Sequence, residues 1–419
     1  MELRGYQKKI SEQAANLLRN FKIAFLCMEV RTGKTLTSLN AANIYGAKKV
    51  LFVTKKKAIS SILNDYKLIN PDYQLYIINY DMLHKCDDNY ELIILDESHS
   101  LGQYPKPSKR TKYLKKICTG KPIIYLTGTP TPENYSQLYH QFWVCSYSPW
   151  GQYRNFYDWF KDYGILKKKY FYNREINDYS NAIEEKVFAD ISHLFLSYTQ
   201  KEAGFISEVE DVIVTIQMPD KVKRAINTLR GSKIIRTKDG KVILADTKVK
   251  EMQKVHQLCG GTIKCEDGDC IVFDDMKSRY ILNHFHGKKI AIFYKFVGEL
   301  TQLLSVFGAR LTVSPEEFNN SSDKIFAAQF QSAREGVNLA TADCIIMFNV
   351  DFAAVSYWQA RARLQAKERT TPAYVYWLFF EGGIEQDVFD VVKKKRKYTV
   401  FHYRKKVFNI FVKKNYGIF

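Results

Sequence analysis

A chain of 419 residues, 46% hydrophobic and 26% charged, has the composition of a soluble globular protein and suits two or three domains with cores of their own. Its 63 basic and 44 acidic residues leave a net charge of +19, which points to a polyanionic partner. No apolar run is long enough to span a bilayer, the first residues lack the apolar stretch of a secretory signal, and eight cysteines are too few for a disulfide scaffold; the expectation is a cytosolic protein without a membrane partner.

Leu3-Arg-Gly-Tyr-Gln7 leads into a helical pattern over residues 6 to 20. The Gln7 amide can donate to and accept from the edge of an adenine. Ile23 to Cys27 reads as an apolar strand, Leu36 to Ile44 as a helix, and the turn between them ends Arg31-Thr-Gly-Lys-Thr35. This is a phosphate loop: Gly33 brings backbone N–H groups to a helix N-terminus, Lys34 reaches the β and γ phosphates, Thr35 offers a hydroxyl to magnesium, and Arg31 and Thr32 are expected to bind the nucleotide with them. The pattern is incomplete, because Met28 stands where its first glycine belongs.

Lys48 to Thr54 is a buried-type strand, and Gln74 to Tyr80 is another. Strands alternating with helical stretches give βαβ units and a parallel sheet, whose ligands gather at the C-terminal strand ends. Thr54 and Lys55 are expected there, within reach of a phosphate backbone. Glu91-Leu-Ile-Ile-Leu-Asp-Glu-Ser-His99 delivers two consecutive carboxylates to a strand end. Asp96 suits a magnesium ligand and Glu97 a base that orients and deprotonates water. A further strand from Lys121 ends Leu126-Thr-Gly-Thr-Pro130, where the hydroxyls of Thr127 and Thr129 can meet His99 or Glu97.

In this order and spacing, Gly33-Lys-Thr35, Asp96-Glu-Ser-His99 and Leu126-Thr-Gly-Thr-Pro130 resemble motifs I, II and III of the superfamily-2 helicases, with details closest to the Swi/Snf-type translocases. The resemblance extends to Lys288–Phe296 (motif IV), to Lys324–Leu339 (motif V, with Ser332, Gly336 and Asn338 near DNA and nucleotide) and to Tyr357–Gln365 (motif VI, with Gln359). It implies that Arg363 meets the γ phosphate. The family's second arginine position holds Ala366, so Arg363 acts alone or shares the work with Arg361 or Arg369. The compact form resembles translocases encoded by bacteriophages, which would place it in the host cell cytoplasm.

Residues 140 to 200 interleave Trp143, Trp150, Trp159 and other aromatics with Lys167–Lys169; a core with a basic rim is favoured over base stacking. Cys259, Cys265 and Cys270 lack the spacing of paired zinc ligands, and a hairpin turning at Glu266–Asp269 is expected instead. The reading is an α/β fold of two RecA-like lobes with parallel sheets flanked by helices: lobe 1 over 1–204, a linker with helical additions over 205–275, and lobe 2 over 276–419. By the resemblance it is an ATP- and magnesium-dependent translocase or helicase, active as a monomer on double-stranded or branched DNA, with hydrolysis between the lobes. Two alternatives stay open: an RNA-directed helicase, and a non-catalytic DNA-binding protein with a degenerate nucleotide site.

Overall fold

The computed structural model describes residues 3–87, 89–171, 174–204, 209–330, 339, 341–352, 364 and 372–394. The chain forms two units, Met1–Phe205 and Ile206–Phe419.

The first unit runs α1 (Gly5–Phe21), β1 (Ile23–Met28), α2 (Lys34–Tyr45), β2 (Lys49–Thr54), α3 (Ile59–Ile69), β3 (Gln74–Asn79), β4 (Leu92–Asp96), α4 (Lys109–Ile117), β5 (Ile123–Leu126), α5 (Gln137–Trp143), α6 (Phe156–Tyr163), β6 (Lys167–Phe171), β7 (Arg174–Asp178), α7 (Glu184–Ile191) and β8 (Phe195–Tyr198). Six of its strands form one sheet in the order β3-β2-β4-β5-β1-β8, every pair parallel. Such a sheet needs cover on both faces, and its strands read as near-continuous apolar runs for that reason. Alternate residues of β1 serve the two sides: Ile23 and Phe25 join one buried cluster, and Ala24, Leu26 and Met28 join the other.

The aromatic stretch is core. Trp150, Phe156, Trp159 and Phe160 are buried with Tyr139 and Phe142 against one face of the sheet. The Trp150 indole finds its partner in Asp190, which accepts its N–H at 2.9 Å. The lysines 167–169 fall on β6, which pairs with β7 as an antiparallel hairpin.

The second unit continues with β9 (Val209–Ile216), α8 (Asp220–Gly231), β10 (Ile234–Arg236), β11 (Val242–Leu244), α9 (Lys248–Cys259), β12 (Thr262–Lys264), β13 (Cys270–Val272), α10 (Met276–His284), β14 (Ile290–Tyr294), α11 (Val297–Phe307), β15 (Leu311–Thr312), α12 (Pro315–Asn320), β16 (Ile325–Gln329), β17 (Cys344–Met347), β18 (Ala373–Phe380) and α13 (Glu385–Lys393). Its sheet has the order β15-β16-β14-β17-β18-β9, again all parallel. The α/β class with parallel sheets flanked by helices therefore holds in both units.

The segment that reads as a linker does more than connect. Its first strand, β9, pairs with β18 from Val209↔Ala373 to Ile216↔Phe380 and forms an edge of the second sheet. Within this segment, β10 forms a short antiparallel hairpin with β11. The Glu266–Asp269 hairpin forms as expected, with Ile263 opposite Ile271. Where β14 and β17 end, Glu299 accepts backbone N–H groups of Lys295 (2.7 Å) and Phe296 (2.9 Å) and the Asn349 amide (2.6 Å). Beside it, the His256 ring stacks on Phe352 and takes Phe296 edge-on.

Candidate nucleotide site

Strand register builds this site. In the first sheet Leu26 of β1 and Asp96 of β4 both pair with Leu126 of β5, so the loop after β1, the acidic pair after β4 and the threonines after β5 emerge side by side at one sheet edge. Chain segments about a hundred residues apart in sequence meet because the strands are parallel and in step.

Gly33 begins α2 with φ 85°, a left-handed turn that glycine adopts freely, and Lys34 and Thr35 follow on the first turn of the helix. The Lys34 ammonium donates to the carbonyls of Met28 (2.8 Å) and Glu29 (3.1 Å), folded back over its own loop. Gly128 permits this closeness: a Cβ there would lie 3.2 Å from the Met28 carbonyl oxygen and 3.8 Å from Lys34 Nζ. Thr35 is half-buried at the same helix start. Thr32 plays a different part, since it is fully buried with its hydroxyl donated to the Glu29 carbonyl at 2.7 Å; only its backbone can serve a phosphate.

Beside the loop lies a cavity of about 150 Å³ lined by Leu3, Arg4, Gln7, Arg31, Gly33 and Leu36 among others. Gln7 is 4% exposed, its Oε1 accepts the Arg4 N–H at 2.9 Å, and its Nε2 faces Gly33 so closely that a Cβ on Gly33 would lie 2.0 Å away. Thus Gln7 and Arg31 stand together at the cavity, with the Gln7 amide nitrogen toward the loop.

The acidic pair is asymmetric. Asp96 Oδ2 accepts the Thr54 hydroxyl at 2.7 Å and Oδ1 accepts the Glu97 N–H at 3.0 Å. Burial first, and the neighbouring Glu97 second, push the Asp96 carboxyl up to about 6, against the pull of Thr54 and Lys34. Glu97 has φ 49°, a left-handed conformation unusual for a residue with a side chain. Its Oε2 lies 3.3 Å from His99 Nδ1, and the same nitrogen lies 3.0 Å from Thr127 Oγ1. Thr127 in turn accepts the Thr129 N–H at 3.1 Å. The threonine contact to His99 expected from sequence is therefore present.

Thr54 corrects an expectation. It is fully buried and its hydroxyl is committed to Asp96, so it cannot touch a phosphate backbone; the exposed residues beyond it are Lys56 and Lys57, with Lys55 half-buried. Other contacts escaped the sequence reading. Gln200 donates its N–H to Glu29 Oε2 (2.6 Å) and its side-chain amide to the Val30 carbonyl (2.9 Å), so the residues after β8 clamp the phosphate loop. Gln141 donates to the Pro130 carbonyl at 2.8 Å and Ser98 to Gln141 at 3.4 Å, tying the segments after β4 and β5 to α5. Ser332, Gly336, Asn338, Gln359, Arg361, Arg363, Ala366 and Arg369 lie outside the described residues.

Comparison with known proteins fits this site. The family model described as SNF2-related domain matches residues 22–174. The CHD3-type chromatin-remodeling factors CHR7 and PICKLE of Arabidopsis thaliana are each 23% identical to the chain, over 358 residues (77% of this chain, 28% of CHR7) and 383 residues (81% of this chain, 26% of PICKLE). The chain thus spans about a quarter of the length of these plant relatives. Putative protein p41 of Acyrthosiphon pisum secondary endosymbiont phage 1 is 22% identical over 360 residues, covering 79% of this chain and 76% of the phage protein. Among solved structures, the Sulfolobus solfataricus SWI2/SNF2 ATPase core in complex with dsDNA aligns with a TM-score of 0.43 at 15% identity, over 94% of this chain and 91% of that one. Residues 22–174 thus resemble an SNF2-related domain, and the likeness to the plant and phage relatives extends over 77–81% of the chain.

Proposed function

We propose that the protein is a DNA-stimulated ATPase that translocates on double-stranded or branched DNA, working as a monomer. The observation that carries this reading is the shared row of Leu26, Leu126 and Asp96, which brings Lys34, Glu97 and His99 to one sheet edge beside a cavity lined by Gln7. In this reading the base sits in that cavity against Gln7 and Arg31, and the phosphates lie over the N-terminus of α2. Lys34 exchanges the Met28 and Glu29 carbonyls for phosphate oxygens, a charge-assisted contact stronger than the one it leaves.

Glu97 accepts a proton from the attacking water, and His99 holds its carboxylate in place while reporting to Thr127. Thr35 and Asp96 present a hydroxyl and a carboxylate, the hard oxygen donors that suit magnesium beside a nucleotide. Bound there, magnesium supplies charge neutralisation of the phosphates. Arg363 is the proposed group that stabilises the transferring phosphoryl, as in the family that the sequence resembles.

The +19 charge supports a DNA partner, and the phage relative supports a bacteriophage setting. Phosphate release measured with duplex, forked, four-way and single-stranded DNA and with RNA tests the proposal. Stimulation strongest on duplex or branched DNA is expected. Turnover that responds to RNA alone, or no turnover at all, would replace it with one of the two alternatives.

A further inference from the structure

Tyr80 follows β3 and is 5% exposed, and its hydroxyl donates to the main-chain carbonyl of Asp96. That carbonyl belongs to the peptide joining Asp96 to Glu97. The orientation of this peptide sets where the Glu97 carboxylate lies, because Glu97 leaves it in a left-handed conformation that its surroundings must hold. Burial keeps the Tyr80 hydroxyl protonated well beyond its ordinary range, so it remains a donor.

The same ring also carries a cation on it. Arg110 of α4 places its guanidinium carbon 5.0 Å from the centre of the Tyr80 ring, and its Nη2 lies 2.9 Å from Asp81 Oδ1. Arg110 is 37% exposed and Asp81 83%, so water screens this pair and an incoming anion can compete for the arginine. The surroundings favour a phosphate as the competitor. Thr111, Leu114 and Ile117 bury one side of α4, while Lys109, Lys112 and Lys116 stay exposed beside Arg110.

We propose that Tyr80 is the positioning residue for Glu97 and that Arg110 makes it responsive to DNA. A backbone phosphate taken by Arg110 in place of Asp81 resets the ring beneath the guanidinium, and through the Asp96 carbonyl resets the carboxylate that deprotonates water. This rests on the reading of the protein as a DNA-stimulated ATPase.

The test is steady-state ATP hydrolysis, with and without saturating duplex DNA, in the wild type, Tyr80→Phe, Arg110→Gln, Arg110→Lys and the double variant Tyr80→Phe with Arg110→Gln. Tyr80→Phe keeps the ring and removes one hydrogen bond, so kcat should fall about tenfold with KM for ATP little changed. Arg110→Gln should cut the ratio of DNA-saturated to DNA-free turnover about tenfold, and Arg110→Lys should do the same because an ammonium lacks the planar fork that spans ring and phosphate. In the Tyr80→Phe background, Arg110→Gln should leave that ratio where Tyr80→Phe put it. Wild-type kcat in Tyr80→Phe, or independent and multiplicative effects of the two substitutions on the ratio, would overturn the coupling. A wild-type protein without DNA-stimulated turnover would instead overturn the reading on which it rests.

Discussion

The Thr54 hydroxyl donates to Oδ2 of Asp96 at 2.7 Å, across two adjacent strands that end side by side. Without it, a carboxylate already pushed up to about 6 would keep the Glu97 N–H and the pull of Lys34. Removing a donor that favours the charged form raises the pKa further. Thr54→Val should therefore lower turnover about tenfold at neutral pH, with partial recovery at higher pH as Asp96 ionises, whereas Thr54→Ser should stay close to wild type. A Thr54→Val pH–rate profile that overlays the wild type would rule out this support for Asp96.

Lys34 and Glu97 should separate binding from chemistry. Lys34 is the cation of the phosphate loop, so Lys34→Ala should abolish hydrolysis and weaken ATP binding strongly. Glu97→Gln keeps the shape of the side chain and leaves Thr35 and Asp96 in place. It should bind ATP normally while turnover falls by a hundredfold or more, about the range of a lost general base. Equilibrium nucleotide binding beside single-turnover hydrolysis reads both, and wild-type hydrolysis by Glu97→Gln would remove Glu97 from the role of base.

These residues were legible because each chemistry needs particular residue types at a strand end, and a run such as Glu91-Leu-Ile-Ile-Leu-Asp-Glu97 states both the strand and its cargo. What the sequence left hidden is register. The partner of Thr54 lies 42 residues away on another strand, and Gln200 meets Glu29 across 171 residues. Nothing local in either segment names the other. The strand at β9 reads from its own residues, but the sheet it joins does not, because its partner β18 lies more than 150 residues later.

The second unit should show two opposed titrations. Burial pushes His256 down from its ordinary 6.5 to about 3, and burial pushes Glu299 up from 4.5 to about 7. A depressed histidine gives stability that is complete above 6.5 and lost as pH falls toward 3. A raised carboxyl gives stability that is complete below 4.5 and lost as pH rises toward 7. Between 4.5 and 6.5 the folded and unfolded forms bind the same number of protons at this pair, and its two slopes cancel. Lys277, Lys295 and Asp351 face the same region. Unfolding measured from pH 4.5 to 6.5 should therefore be nearly flat in the wild type. Glu299→Gln should lose stability toward acid and His256→Phe toward neutrality, each with a slope near 1.4 kcal/mol per pH unit at most. Parallel profiles in all three proteins would exclude the opposed pair.

The last prediction concerns the cavity beside the phosphate loop. Gly33 has φ 85°, and a methyl group on it would lie 2.0 Å from Gln7 Nε2. Gly33→Ala should therefore cost stability through the strained backbone and drive the Gln7 amide out of its place against the loop, by about 1 kcal/mol or more for the left-handed conformation alone. Gln7→Ala adds no backbone strain and removes the amide, together with its contact to the Arg4 N–H. If Gln7 reads the base, Gln7→Ala should weaken ATP binding by five- to tenfold, about the worth of one hydrogen bond, while affinity for inorganic triphosphate stays the same. Discrimination between ATP and other nucleoside triphosphates should shrink in the same variant, because a site built to hydrogen-bond one base edge loses its preference when that group goes. Gly33→Ala should weaken triphosphate and ATP alike, since it disturbs the loop that holds the phosphates. Equal losses of ATP and triphosphate binding in Gln7→Ala would show instead that Gln7 supports the loop through its contact with Arg4 and does not read the base.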